Sequence, residues 1–359
     1  LTPATLSPSL REQALALHAS SLVIDLHADT FIAVRYAKRD ISRRHAAPVG
    51  WAPFMLHCDL PRWKEGGIKA QGLGVVATKL MTRQPRAHAR ETIRIMHETA
   101  AANASQMAIV RSPDELEAAV KAGKLAGFIG LEGAHMYEGD LAAVAEFHAL
   151  GVSYVTLTHF FPNELVSSSI EKKPSVPGIT PFGRDVIREL NRLGTLVDLA
   201  HVHEASFDAA LEACTAPAIV SHGACRALRD HHRNVTDDQL RALARKGGVV
   251  GVIFFPWFLG RNPFASLESV ADHIEHIAKT VGVEHVALGS DWDGFVWMPR
   301  HLPDAAALPR LTVELLRRFG DEQAVRGILG GNFLRCWRAA LAASGSAQAA
   351  VPSAPAAAS

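Results

Sequence analysis

Eight short runs of mostly apolar residues recur along the 359-residue chain, at 21–29, 70–78, 125–133, 152–160, 194–202, 216–224, 247–255 and 285–294. Their apolar stretches are continuous rather than alternating, as in Gly248-Val249-Val250-Gly251-Val252-Ile253. Runs of this kind suit strands buried on both faces, the condition of a parallel sheet covered by helices. The segments between them have helical periodicity, most clearly at 87–105, 140–150, 182–193, 204–213, 236–245 and 266–281. Several begin with capping chemistry. Ser112-Pro113-Asp114-Glu115 puts proline at the first helical position and acids in the first turn, and Thr236-Asp237-Asp238 repeats the acidic start. Strand and helix alternating eight times predict an α/β fold of the (β/α)8, TIM-like barrel type, with a doubly wound sheet as the rival. No repeat or linker divides the chain, so residues 1–341 are expected to form a single barrel domain. The Ala-, Ser- and Pro-rich residues 342–359 are expected to be a disordered tail.

Composition narrows the function. Lys and Arg number 37 against 36 Asp and Glu, which gives no general attraction to nucleic acid or to an anionic membrane. The four cysteines (Cys58, Cys214, Cys225, Cys336) form no CxxC pair, against a disulfide framework or a cysteine-rich zinc module. No apolar run reaches the roughly 18 residues that a membrane-crossing helix needs. The first residues show no basic stretch followed by an apolar one, so the expected location is the cytoplasm, with a removed leader and export left open. Histidine, the commonest metal ligand and the usual acid–base group near neutral pH, occurs 18 times.

The placement of those histidines is informative. In (β/α)8 barrels the active site lies at the C-terminal ends of the strands. Six of the eight runs end in histidine or an acid: His27 and Asp29, Glu132, His159, His201, His222, and Asp291 with Asp293. Each alone could be a polar strand end or a capping side chain. Together they put one kind of chemistry on one rim. His27-Ala28-Asp29 places two ligands at i and i+2, on the same face of a strand. Glu132, between Gly130 and Gly133, is costly to bury unpaired, and the glycines let another group come close.

Three histidines and two carboxylates are too many for one tetrahedral zinc with an open position, and suit two divalent ions that share a carboxylate. Glu132 is the natural bridge, with His27 and Asp29 on one ion and His201 and His222 on the other. The imidazole-rich set favours zinc. Asp291 is then available to take a proton from the attacking water and pass it to a leaving amine. His159 can donate to an oxyanion, and Arg233 can pair with a substrate carboxylate. A second HxD, His57-Cys58-Asp59, stands before Leu60-Pro61, where proline disfavours helix at Asp59, and reads as a structural turn or chain entry. His135 is a possible neighbour of the site, with a surface role as the plainer reading.

At these residues the sequence resembles the zinc-dependent membrane dipeptidase family, also called renal or microsomal dipeptidases, in its bacterial form. The matching stretches include Asp25-Leu26-His27-Ala28-Asp29-Thr30, Gly130-Leu131-Glu132-Gly133, Leu157-Thr158-His159 and Val197-Asp198-Leu199-Ala200-His201. They continue with Ser221-His222, Arg233-Asn234-Val235, Gly289-Ser290-Asp291-Trp292-Asp293-Gly294 and Gly330-Gly331-Asn332-Phe333. The resemblance implies a metal-dependent TIM-like barrel that hydrolyses dipeptides with two zinc ions per chain. It implies His27, Asp29, Glu132, His201 and His222 as ligands, Asp291 as acid–base, His159 near the scissile carbonyl and Arg233 on the C-terminal carboxylate. It also implies small dipeptide partners, tolerance of a C-terminal D-residue, and a homodimer. Phe258 stands where the family often has a tyrosine in the substrate pocket, and Ala200 where serine is common. The animal members' disulfides and lipid-anchor signal have no counterpart, so no membrane anchor is expected.

Two rivals remain in view. A barrel amidohydrolase acting on cyclic amides would typically carry HxH on the first strand and a carboxylated lysine on the fourth. This chain has His27-Ala28-Asp29, and no lysine in 152–160. A non-catalytic metal-binding barrel would be favoured by loss of a ligand or of Asp291, yet all are present.

Overall fold

The computed structural model describes residues 8–46, 54–78, 81–261 and 264–345. Its nine strands are β1 (Ile24–Ala28), β2 (Ala70–Val76), β3 (Met107–Val110), β4 (Leu125–Glu132), β5 (Val152–Thr156), β6 (Leu196–Asp198), β7 (Ile219–Gly223), β8 (Val249–Val252) and β9 (Val286–Leu288). All pair in parallel. Eight of them close a barrel in the order β1-β2-β4-β5-β6-β7-β8-β9, with β9 returning to β1. Each of the eight lies inside one predicted run, and each is buried along its whole length. Burial on both faces is why the runs are continuously apolar.

The ninth strand, β3, was not expected. It pairs with Leu125–Phe128, the half of β4 that β5 leaves open, since β5 begins its pairing at Ile129. Its middle residues are only half-buried, so the four-residue segment lacks the strong apolar signature of the barrel strands.

The predicted caps are present. Ser112 Oγ accepts from Glu115 N at 3.2 Å, and Thr236 forms a reciprocal capping box with Gln239. Asp59 is structural, but as the start of a helix rather than a turn. Its carboxylate caps Leu60–Glu65 by accepting from Arg62 N at 2.8 Å, and Pro61 sits in the first turn, where a missing N–H costs nothing. The final helix, Asn332–Ala343, covers the barrel's N-terminal mouth. Its Phe333 and Trp337 pack on Phe128 with ring centroids 5.3 and 5.6 Å apart, and the same cluster holds Ile24, Ile219 and Val249 from the strand starts. That leaves the C-terminal rim as the open end. The helix runs two residues into the predicted tail; positions 346–359 lie outside the described residues. Among the described residues no helix is long and apolar enough to cross a membrane, and the four cysteines are free and buried.

Candidate metal centre

Two of the histidines have their ring orientation settled by buried neighbours. His27 Nδ1 lies 2.8 Å from the Tyr154 hydroxyl, which lies 3.1 Å from the Leu26 carbonyl. A carbonyl only accepts, so the tyrosine proton goes to Leu26 and His27 Nδ1–H donates to the tyrosine oxygen. The Nε2 lone pair of His27 therefore faces the barrel mouth. Tyr154 reaches His27 through space that Gly130 leaves open, where a Cβ would stand 1.9 Å from the tyrosine ring. The same logic holds at His222. Its Nδ1 lies 2.9 Å from Ser221 Oγ, whose own proton goes to the Asp198 carboxylate at 2.6 Å. His222 thus also turns an Nε2 lone pair into the site.

These nitrogens converge on Glu132, the last residue of β4. Its Oε1 lies 3.2 Å from His201 Nε2, 3.5 Å from the Nε2 atoms of His222 and His159, and 3.6 Å from His27 Nε2. Asp29 Oδ1 stands 3.7 Å from His27 Nε2. The Nε2 atoms of His201 and His222 are 2.9 Å apart, aimed at a common point. His27 Nε2, Asp29 Oδ1 and Glu132 Oε2 are buried with no hydrogen-bond partner, a condition that folded proteins rarely leave standing without a ligand. Gly74 and Gly294 form a cradle beside them, since a Cβ at these positions would lie 2.3 Å from Asp29 Oδ1 and 3.1 Å from Asp29 Oδ2 respectively. Three overlapping groups keep their ligand atoms within 4.8 Å: His27–Asp29–Glu132, Glu132–His159–His201 and His27–His222–Asp291. The donor set fits a pair of divalent cations.

The electrostatics agree. Burial, helped by Arg233 and the neighbouring imidazoles, holds His159, His201 and His222 well below the usual histidine range, so they are neutral as ligation requires. His27 goes the other way. Burial lowers it, but Tyr154, Glu132 and Asp29 carry it well above the ordinary value. Those carboxylates favour a positive charge at this point, and a metal ion supplies one as a proton does.

His201 and Asp291 lie three residues beyond the ends of β6 and β9, and they turn back toward the axis through left-handed backbone, with φ of 63° and 64°. Such conformations are uncommon for non-glycine residues and cluster at functional sites. Asp291 is half-buried. Burial pushes its carboxyl well above the usual range; His27 and Arg233 oppose the shift, while Asp29 and Glu132 add to it. Arg233 sits in a loop whose base is closed by pairing of Cys225 with Val235. It is buried, with Nη2 3.3 Å from the His222 carbonyl and its guanidinium carbon 5.6 Å from the Phe258 ring centroid. His159 packs against Phe160 and His201 at 4.2 and 4.5 Å.

Some rim residues have other duties. Asp293 accepts from Thr30 Oγ1 at 2.7 Å and from His57 N at 2.6 Å, while its own N–H donates to His57 Nδ1 at 3.0 Å. The second HxD thus braces the rim. His135 is half-buried: it tucks beneath Gly133 and its Nε2 lies 2.5 Å from the Ala77 carbonyl. His273 is buried and ties two site loops together. Its Nδ1 accepts from Cys225 N at 2.9 Å, and its Nε2 lies 3.0 Å from the Leu259 carbonyl. Nothing in the sequence marks His273, whereas Asp25 and Asp198 are legible as lone acids inside apolar runs.

The model of the membrane dipeptidase family (peptidase family M19) matches residues 11–351. Dipeptidase 3 of Rattus norvegicus is 34% identical over 337 residues, 92% of this chain and 67% of that protein. Among solved structures, the probable dipeptidase PvdM of Pseudomonas aeruginosa superposes with a TM-score of 0.86 at 20% identity, covering 94% of this chain and all of that one. The dipeptidase AC, a metallopeptidase of family M19, gives 0.80 at 25% identity, with 89% and 99% covered. The chain belongs to the membrane dipeptidase family, peptidase family M19, and is a hydrolytic enzyme built on its metal-dependent barrel.

Proposed function

We propose that this chain is a binuclear zinc dipeptidase, an exopeptidase that requires a free C-terminal carboxylate. The observation that carries the reading is the convergence of four imidazoles on one oxygen of Glu132, with the Asp29, Asp291 and Arg233 side chains beside them. His27 and Asp29 would hold one zinc, His201 and His222 the other, with Glu132 between them; ions bound there activate a water and polarise the peptide carbonyl. Asp291 accepts the proton released as the water attacks and delivers it to the departing amine. Neutral His159 donates to the oxyanion that develops on the carbonyl oxygen. Arg233, next to the His222 carbonyl, pairs with the substrate carboxylate and so limits the reach beyond the scissile bond to one residue. Acceptance of a C-terminal residue of D configuration belongs to the same proposal and comes from the family resemblance rather than from the position of Arg233.

The test is a panel of L,L and L,D dipeptides and their C-terminal amides. It is run on zinc-loaded, chelated, Asp291→Asn and Arg233→Ala protein. Chelation abolishes turnover and two zinc ions per chain restore it. Asp291→Asn lowers kcat by roughly 10²- to 10⁴-fold. Arg233→Ala raises KM for free acids and erases their advantage over amides. Turnover that survives chelation, or a wild-type rate in Asp291→Asn, refutes the mechanism.

A further inference from the structure

Beyond Arg233 the rim is aromatic. Phe258, over whose ring the guanidinium lies, packs edge-on to Phe255 at 4.9 Å, and Phe255 packs edge-on to Trp297 at 4.7 Å. Trp257 lies edge-on to Trp297 at 6.5 Å and is 44% exposed. The rings come from the loops that follow β8 and β9, so the strip runs around the open mouth from Arg233 to the loop that carries Asp291. Phe255, Phe258 and Trp297 are each only half-buried. His231 backs Phe258 at 4.5 Å and fixes that ring in place. A row of preorganised rings that keeps part of its surface in solvent is the kind of patch that proteins retain for binding.

Its position indicates the occupant. A dipeptide whose carboxylate sits on Arg233 has its C-terminal Cα fixed one bond away, and the side chain of that residue starts from the same carbon. The ring beside Arg233 is Phe258, which offers a hydrocarbon face and no hydroxyl. We propose that Phe258, Phe255 and Trp297 form the subsite for the side chain of the substrate's C-terminal residue, so that dipeptides with an aromatic or bulky apolar C-terminal residue are preferred. The proposal rests on the carboxylate role given to Arg233. A cationic C-terminal side chain would lose hydration against the strip and be repelled by Arg233, and is disfavoured.

The experiment measures kcat/KM for Ala-Phe, Ala-Gly and Ala-Lys, with Phe-Ala and Gly-Ala as the mirror pair. The zinc-loaded full chain is compared with Trp297→Ala and Trp297→Phe. The Ala-Phe to Ala-Gly ratio is expected at about tenfold or more, the scale on which an apolar pocket discriminates, with Ala-Lys below Ala-Gly. Trp297→Ala moves the first ratio toward one, Trp297→Phe keeps most of it, and neither changes the Phe-Ala to Gly-Ala ratio. Product inhibition of the wild type needs no variant, and free phenylalanine should inhibit about tenfold more strongly than glycine. A wild-type ratio near one, equal inhibition by the two amino acids, or a Trp297→Ala effect confined to the N-terminal residue overturns the proposal. Cleavage of Ala-Gly without preference refutes the strip alone, whereas no cleavage of any dipeptide refutes the reading beneath it.

Discussion

Replacing Tyr154 by phenylalanine removes one oxygen and leaves the ring beside Phe128, 6.2 Å away between centroids. That oxygen accepts from His27 Nδ1–H and donates to the Leu26 carbonyl, and both partners belong to residues with no solvent exposure. A buried polar group left without a partner costs about 1–3 kcal/mol. Loss of a group that orients a metal-binding histidine weakens the metal by about 10- to 100-fold, which is about 1.4–2.7 kcal/mol. The two estimates agree because they describe one event. Without the tyrosine oxygen, His27 can carry its proton on Nε2, where Glu132 and Asp29 attract it, and that proton must leave before an ion binds. Competition between the apo-protein and a chelator of known zinc affinity should show one of two sites weakened by about 10- to 100-fold. The other site should be unchanged, the far-UV circular dichroism the same, and activity recovered at high zinc. Equal weakening of both sites, or affinities within about twofold of wild type, well inside the expected loss, would refute the tautomer argument.

Gly74→Ala touches no ligand by identity, yet its Cβ would stand 2.3 Å from Asp29 Oδ1 and 3.0 Å from His27 Cε1. Metal analysis should find the ion between those two residues lost while the other remains; two full-affinity ions would show that Asp29 is not a ligand. A pH effect is expected at His273, which burial lowers from 6.5 to about 4. Its folded-state value is depressed, so the unfolded chain takes the proton first. The stabilisation is complete above pH 6.5 and is lost as the pH falls toward 4, amounting to about 3 kcal/mol at most. Urea unfolding at several pH values should show that slope, diminished in His273→Gln; an unchanged slope would mean that other groups produce it.

The eight barrel strands were legible because burial on both faces writes itself as uninterrupted apolar runs. The rim was legible because a histidine or acid that closes such a run has few other reasons to be there. What escaped the sequence depends on contacts between strands distant in the chain. Tyr154 reads as one more apolar residue of β5, and only the barrel's closure, together with the side chain that Gly130 lacks, brings its hydroxyl to His27. His273 occupies the buried face of an amphipathic helix, where its periodicity is that of a packing residue. Asp293 closes the same run as Asp291, and in the structure both follow β9 with positive φ. Their roles divide because Thr30 and the His57 backbone reach Asp293 from other loops, a fact no local pattern contains.

Asp293 also belongs to a wider arrangement. Asp291 stands in left-handed backbone, and its loop is held by Asp25, whose carboxylate accepts from Ser290 N at 2.7 Å and Ser290 Oγ at 2.6 Å. His201 stands in left-handed backbone one residue after Ala200, whose N–H donates to Asp198 at 3.0 Å. Asp198 also accepts from Ser221 N at 2.8 Å, and so orders the strand that carries His222. Asp293 holds Thr30, next in the chain to Asp29. Unusual backbone of this kind costs about 1–3 kcal/mol per residue, whereas a hydrogen bond to a charged group contributes about 1.5–3 kcal/mol. One buried carboxylate accepting two or more such bonds is therefore sufficient to hold a strained turn. The three aspartates have their oxygens engaged in bracing these turns, which leaves Asp29, Glu132 and Asp291 as the rim acids free for the proposed chemistry.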